Sequence, residues 1–422
     1  MSFFDLDHWQ EIKTALLRNR MRTTLTAFGV FWGIFLLMVM LGSGTGLRNG
    51  VNRGFSDGAT NSFFVWTQRT QKPYRGKSAG RSIQLDNSDV VAIRDKVPEV
   101  AIVAPRNQLG GFMGGNNVTR GRKSGAFQVT GDYPEIADIQ SFRMEAGRFI
   151  DPLDVAERRK VAVIGTRVRD LLFKPGEDPI GDSIEIRGVY FQVVGMFASL
   201  QSGEQGERES QTIYTPFTTF QRAFNFGDRV GWLAVTVKPA VLASVAEEKV
   251  IELLKARHGV APDDSRAFGH FNVEKEYQKV QGLFSGISIL VWLVGIGTLA
   301  AGAIGVSNIM LIIVKERTKE IGVRRAVGAR PSAIVAQIVT ESVILTAAAG
   351  YAGLVAGIAL MALVGSLLPS GGSENTMFMN PDVGIAEALR ALAVLIGAGV
   401  LAGLAPAQRA LQISPMLALR SE

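Results

Sequence analysis

The sequence contains no cysteine among its 422 residues. Disulfides, thiolate nucleophiles and cysteine-ligated metals are therefore excluded. Histidine is almost as scarce: only His8, His258 and His270 occur, and their spacing is not that of metal ligands. No G-x-x-x-x-G-K-[ST] phosphate loop is present, and GRKSG at 121–125 lacks both the upstream glycine spacing and a strand-to-helix context. There is no G-x-S-x-G elbow, no H-E-x-x-H pair and no set of nucleophile, base and acid. The chain is accordingly read as having no catalytic centre, metal or cofactor of its own.

What it has in excess is apolar length. Hydrophobic residues make up 47% of the chain, and the mean hydropathy is +0.19, which points to a partly membrane-embedded protein. Thr24 to Gly42 is uncharged and long enough to cross a hydrocarbon core of about 30 Å. It exceeds a signal-peptide h-region of about 7 to 15 residues, so it is read as an uncleaved span. Further apolar segments follow at 283–314, 333–368 and 385–405. The organisation expected is an interfacial amphipathic helix at 1–23, a first span at 24–46, a water-exposed domain at 47–282 and a second span with a stalk at 283–314. A short basic segment at 315–332, a third span at 333–368, a loop at 369–384, a fourth span at 385–405 and a tail at 406–422 complete it. The first helix would place Trp9, Ile12, Leu16 and Leu17 on one face and Lys13, Arg18, Arg20 and Arg22 on others.

Charge orients these spans. The segment 315–332 carries Lys315, Arg317, Lys319, Arg324, Arg325 and Arg330 against Glu316 and Glu320, whereas 369–384 has neither Lys nor Arg. Positive loops are retained on the cytoplasmic side, so the basic segment and both termini are expected inside and the large domain outside. The formal net charge of +7 is partly accounted for by such flanks and does not require nucleic acid. Gly29 and Gly33, Gly353 and Gly357, and Gly399 and Gly403 form G-x-x-x-G steps, which allow close helix packing. Glu341, within the third span, is expected to face a neighbouring helix or pair with a basic interfacial residue. Glu387 and Arg390 are spaced to pair at i, i+3.

The exposed domain reads as α+β. Strand-like runs occur at 63–67, 100–105, 126–131, 161–165, 183–187, 191–197, 212–216 and 232–239, and helix-like runs at 88–96, 166–173 and 240–258. The polar stretches 67–81 and 199–210 are expected as mobile surface loops, and 110–117 as a flexible segment exposing Phe112 and Met113.

Two words in the sequence are more specific. ERTKEIGVRRAVGAR, at 316–330, resembles the cytoplasmic coupling segment of the ABC-transporter permeases related to the macrolide exporter, the lipoprotein-release permeases and the cell-division permease. The stretch from Gly147 to Phe197 is similar to a small β-rich subdomain of the same family, through Phe149, Val163, Ile164, Gly165, Leu172, Phe173, Pro179, Gly181 and Val194, and the tail from Pro406 to Arg420 is similar to its closing pattern. The resemblance implies an α-helical membrane protein with four transmembrane helices and a large extracytoplasmic domain of two subdomains, one from about 50–136 with 225–275 and the other inserted at 137–224. It implies that Glu316, Arg317, Glu320, Gly322, Arg324, Arg325, Gly328 and Ala329 meet an ABC ATPase, with ATP and Mg held by that separate partner. A second permease copy, as homodimer or close paralogue, is implied in the bacterial inner membrane. A periplasmic adaptor and an outer-membrane duct would complete an efflux system driven by mechanotransmission. Lipoprotein release and control of a cell-wall hydrolase are the other roles within the resemblance.

Overall fold

The computed structural model describes residues 20–56, 60–109, 117–140, 142–201, 203–367 and 378–412. Most of the expected interfacial helix, the segment 110–116, most of the loop between the third and fourth spans and the end of the tail lie outside the described residues. The chain divides into a helical unit, residues 1–50 with 282–422, and an α+β unit, residues 51–281.

Among the described residues, four helices are long and apolar enough to cross a membrane: Arg20–Ser56, Val273–Glu316, Pro331–Leu367 and Ile385–Leu411, here the first to fourth spans. Their contacts follow from small residues. A Cβ added to Gly353 would collide with the carbonyl oxygen of Phe31, and one added to Gly357 would lie 2.6 Å from Met38 Cβ. The first and third spans therefore touch backbone to backbone. The third and fourth do the same: a Cβ at Gly399 would lie 3.1 Å from Val343 Cα, and one at Gly403 2.9 Å from Val339 Cα. A Cβ added to Gly33 would lie 3.4 Å from Thr298 of the second span, whereas one added to Gly29 would meet nothing of this chain within 4 Å. Close approach of this kind lets dispersion forces operate where no hydrophobic drive exists between helices in lipid. Around these contacts Ile34, Leu37, Met38, Leu299, Val306 and Leu395 form an apolar interior. The buried hydroxyls of Ser342 and Thr346 donate to the backbone oxygens of Ile338 and Ser342, four residues back on their own helix.

The α+β unit is built on strands β1 (Ser62–Thr67), β2 (Leu85–Asp86), β3 (Val100–Leu109), β4 (Val118–Arg120), β5 (Lys123–Gly125), β6 (Gln128–Asp132), β7 (Phe142–Gly147), β8 (Val161–Gly165), β9 (Ser183–Ile186), β10 (Val189–Ser199), β11 (Thr212–Pro216), β12 (Arg229–Val230), β13 (Trp232–Val237) and β14 (Phe268–Asn272). One sheet runs β14-β1-β13-β3-β6-β11-β8-β10-β9-β4-β5, with β7 on β10. Strand β3 joins its two halves. Val100 to Arg106 pair with β13, and Asn107 to Leu109 pair with β6. The side chain of Asn107 fixes the hand-over, donating to the Arg229 carbonyl at 2.9 Å and accepting from the Gly231 amide at 2.7 Å. Each half has its own core. Phe63, Val65, Val235 and Phe268 pack with the helices Asn87–Lys96 and Ala243–His258, while Phe127, Val129, Ile164, Phe191 and Phe220 pack with Thr166–Leu172 and Phe217–Ala223.

Two segments expected as mobile loops carry structure instead. In 67–81, Tyr74 and Lys77 exchange backbone hydrogen bonds of 3.0 Å across a two-residue turn, whose Arg75 and Gly76 both have positive φ as a tight hairpin demands. The buried carboxylate of Asp264 accepts from the amides of Gln71 and Lys72 at 2.7 and 3.1 Å, which anchors the hairpin base. In 199–210, Gly203–Ser210 is helical, with an Arg208–Glu204 pair at i, i+4 and the Ser199 hydroxyl on Glu209 at 2.6 Å. Local polar bonds, rather than apolar periodicity, order both.

At the hand-over strand lies a buried ion pair, Arg106 Nε to Asp132 Oδ1 at 2.5 Å, with side-chain exposures of 6% and 0%. Burial alone would lower the Arg106 guanidinium's affinity for its proton, but the charge of Asp132 beside it wins and holds its pKa above the ordinary value. Removing Asp132 leaves that cation buried and uncompensated. The substitution Asp132→Ala is expected to destabilise the α+β unit by about 3–5 kcal/mol, read as a lower urea midpoint of the detergent-solubilised chain by tryptophan fluorescence, to which Trp232, whose ring lies beneath Arg106, contributes.

The same unit should lose stability in acid. Burial tends to raise the carboxyl pKa of Asp89, but hydrogen bonds from His258 and Arg257 outweigh it; for Glu247 burial is outweighed by Lys275 and Asn272, and both groups end below the ordinary carboxylate range. A carboxyl depressed on folding stabilises fully above its unfolded pKa, near 4, and that contribution is lost as pH falls through the folded value. Near-UV circular dichroism should show a urea midpoint that is flat from pH 7 to about 5 and falls below about 4. In Asp89→Asn the fall should be shallower.

Candidate functional site between the second and third spans

The second span ends at Glu316 and the third begins at Pro331. Between them lies a short helix, Thr318–Ala326, separated from the second span by the single residue Arg317, which has φ −92° and ψ 15°. The helix stops because Gly328 takes φ +96°. The Gly328 and Ala329 amides then bond back to the carbonyls of Arg325 and Arg324 at 3.1 and 3.0 Å. Only glycine enters that conformation without steric cost. Pro331 opens the next helix, where its missing N–H leaves no bond unmade.

One side of the short helix packs on the bundle. Gly322 is buried and Ile321 is partly buried against a floor that includes Ile313, Val314, Ile334 and Ile338. Above that floor sit the polar groups. Arg317 Nη1 lies 3.1 Å from Glu341 Oε1, and its Nε lies 3.3 Å from Glu320 Oε2. Arg324 Nη2 lies 2.9 Å from Glu320 Oε1, while its Nη1 donates to Gln337 Oε1 at 3.0 Å. Gln337 Nε2 donates to Glu341 Oε1 at 3.3 Å. Arg325 reaches across to the fourth span, donating from Nη1 to the Leu411 carbonyl at 2.7 Å. That carbonyl belongs to the last turn of its helix, where backbone acceptors lack helical partners and a cation is favoured.

The other side faces away. Lys315, Glu316, Lys319, Val323, Ala326, Val327, Ala329 and Arg330 are all exposed, with Val323 at 46% and Val327 at 84%. Two β-branched apolar residues one turn apart, flanked by cations, are suited to an apolar groove with an acidic rim.

Of the residues singled out in the sequence, Arg317, Glu320 and Arg324 are thus brought together on the bundle side, Arg325 bonds to the fourth span, Gly322 is buried and Gly328 makes the turn. Glu316 and Ala329 are exposed. Glu341 takes the basic interfacial partner expected of it. Glu387 and Arg390 lie 3.8 Å apart. Sequence reading missed Gln337, although its i, i+4 spacing from Glu341 puts both on one helix face. It also missed Val323 and Val327 as the apolar part of the outward side. Among the described residues there is no cluster of His, Asp or Glu able to hold a metal.

Two family models match consecutive parts of the chain, the first of them taking in the first span along with most of the α+β unit. Residues 23–253 match the MacB-like periplasmic core domain, and residues 292–415 match the FtsX-like permease C-terminal domain. The macrolide export ATP-binding/permease protein MacB of Neisseria gonorrhoeae is 28% identical over 97% of this chain and 60% of its own length. The pyoverdine export ATP-binding/permease protein PvdT of Pseudomonas entomophila is 32% identical over 96% of this chain and 58% of its own. The chain thus spans about three-fifths of the length of these curated relatives. Among solved structures, the periplasmic region of MacB from Actinobacillus actinomycetemcomitans aligns with a TM-score of 0.43 at 21% identity, covering 54% of this chain and 95% of that one. With the first family model covering more than half of the chain and the second most of the remainder, the chain belongs to the MacB/FtsX-like family of ABC-type permeases.

Proposed function

We propose that this chain is the membrane subunit of an ATP-driven export system in the bacterial inner membrane. In this reading an ABC ATPase grips the outward side of the helix Thr318–Ala326 and displaces it when ATP is bound or hydrolysed. The stroke passes into the spans and reaches the periplasmic domain, which moves cargo on the far side of the membrane. ATP and Mg belong to the ATPase. A second permease copy completes the assembly, and a periplasmic adaptor with an outer-membrane duct is the natural continuation for cargo leaving the cell. The names of the curated relatives, both of which contain the word export, support the direction of transport.

The observation that carries the reading is the two-sidedness of the short helix. It is tied to the third and fourth spans by charged hydrogen bonds on one side and presents Val323 and Val327 on the other. A lever needs both. Two further features favour it. The second span, at 44 residues, is about 66 Å long, more than a hydrocarbon core requires. The interior of the four-helix unit is apolar, and its buried polar side chains among the described residues, Ser342 and Thr346, are bonded within their own helix. A bundle of this kind suits force transmission better than a polar conduit for cargo.

The absence of native cysteine allows a direct test of sidedness. The variant Val327→Cys is expected to react with a membrane-impermeant maleimide in inside-out vesicles and not in intact spheroplasts; the reverse pattern overturns the reading. A second test uses the ATPase. Hydrolysis that co-purifies with the chain from its native membrane should be lost, at least tenfold, in Val327→Asp, with the thermal midpoint of the chain unchanged. Retention of the co-purified activity would remove the outward side from the mechanism.

A further inference from the structure

The polar contacts between the short helix and the third span close into a ring. Arg317 reaches Glu341, Gln337 reaches the same carboxylate, Arg324 reaches Gln337, and Glu320 joins Arg324 back to Arg317. The ring holds two guanidinium groups, two carboxylates and one amide, so its formal charge is zero. Glu341 is the member set furthest into the apolar third span, with its side chain 10% exposed, and the ring accounts for an acid at that position.

The geometry of attachment matters more than its strength. Arg317 and Arg324 are seven residues apart, roughly 10 Å along the short helix, and both end on one face of the third span, at Gln337 and Glu341. One link would be a pivot about which the helix could swing. Two links at separate points on each partner resist both swing and roll. A displacement imposed on the outward side then has to carry the third span with it.

We propose that Gln337 and Glu341 are positioning residues that lock the short helix to the third span as one lever arm, so that the stroke of the ATPase enters the third span directly instead of only through the second. The proposal rests on the reading of Thr318–Ala326 as the driven element, but the lock itself exists without nucleotide or ATPase and is tested without them.

The test places spin labels at Val327→Cys and at Leu363→Cys, both exposed positions, on the otherwise cysteine-free chain. The labelled chain is reconstituted in lipid nanodiscs with an excess of unlabelled chain, and the distance distribution is measured by double electron–electron resonance. The parent is expected to give a single narrow distance. Glu341→Gln and Arg317→Glu should each broaden it. The exchange of both charges, Arg317→Glu with Glu341→Arg, should restore the narrow distribution, which a role in packing alone would not produce. Parental width in Glu341→Gln, or an exchange as broad as Arg317→Glu by itself, overturns the lock. Should Glu341→Gln fail to assemble, Gln337→Ala decides in its place, with broadening supporting the proposal and parental width overturning it. If the lock holds and Val327→Asp keeps its co-purified ATPase, the driven-element reading fails while the lock stands.

Discussion

An acid in an apolar helix is costly unless something neutralises it, and Glu341 has that requirement. Its carboxylate accepts from Gln337 on its own helix and from Arg317, and since only Arg317 brings a positive charge, it is neutralised only while the short helix stays beside the third span. The position of that helix is therefore tied to the solvation of a single side chain. Local sequence then supplies the rest: a one-residue break at Arg317, a left-handed Gly328 and a proline to restart the chain. Each allows the polypeptide to turn twice within a short distance without leaving buried backbone groups unbonded.

The four spans were legible because lipid imposes length and composition, and both can be counted in the sequence. The second span is the instructive case: its apolar run begins at about Leu283, but the helix begins at Val273. Hydropathy records where lipid would begin and is silent on polar turns that precede it. In the α+β unit, the runs around Phe63, Val161, Phe191 and Trp232 were legible as strands because each is buried on at least one face. The short strands β4, β5 and β12 were not. Two or three residues carry no measurable alternation, and their pairing is dictated by partners such as β9 and β2 that are distant in sequence.

The site was legible in part for a similar reason. Charge density marked 315–330 as a surface segment, and the resemblance gave it an expected role. Neither shows which way a side chain points. Arg317, Glu320 and Arg324 look like ligands for a partner when read as a string, yet they turn toward the bundle. Val323 and Val327 are apolar and yet face outward. A helix of nine residues has too few turns for periodicity to decide its orientation, so tertiary contacts decide it.

Strand β3 gives the α+β unit a property that neither of its cores has alone. Its first residues belong to the ladder with β13 and its last three to the ladder with β6, and Asn107 pins the junction to the 229–231 backbone. To detach either half, the strand would have to tear along its length and break the bonds of Asn107. The two halves should accordingly melt in one cooperative event and turn as a single body under load.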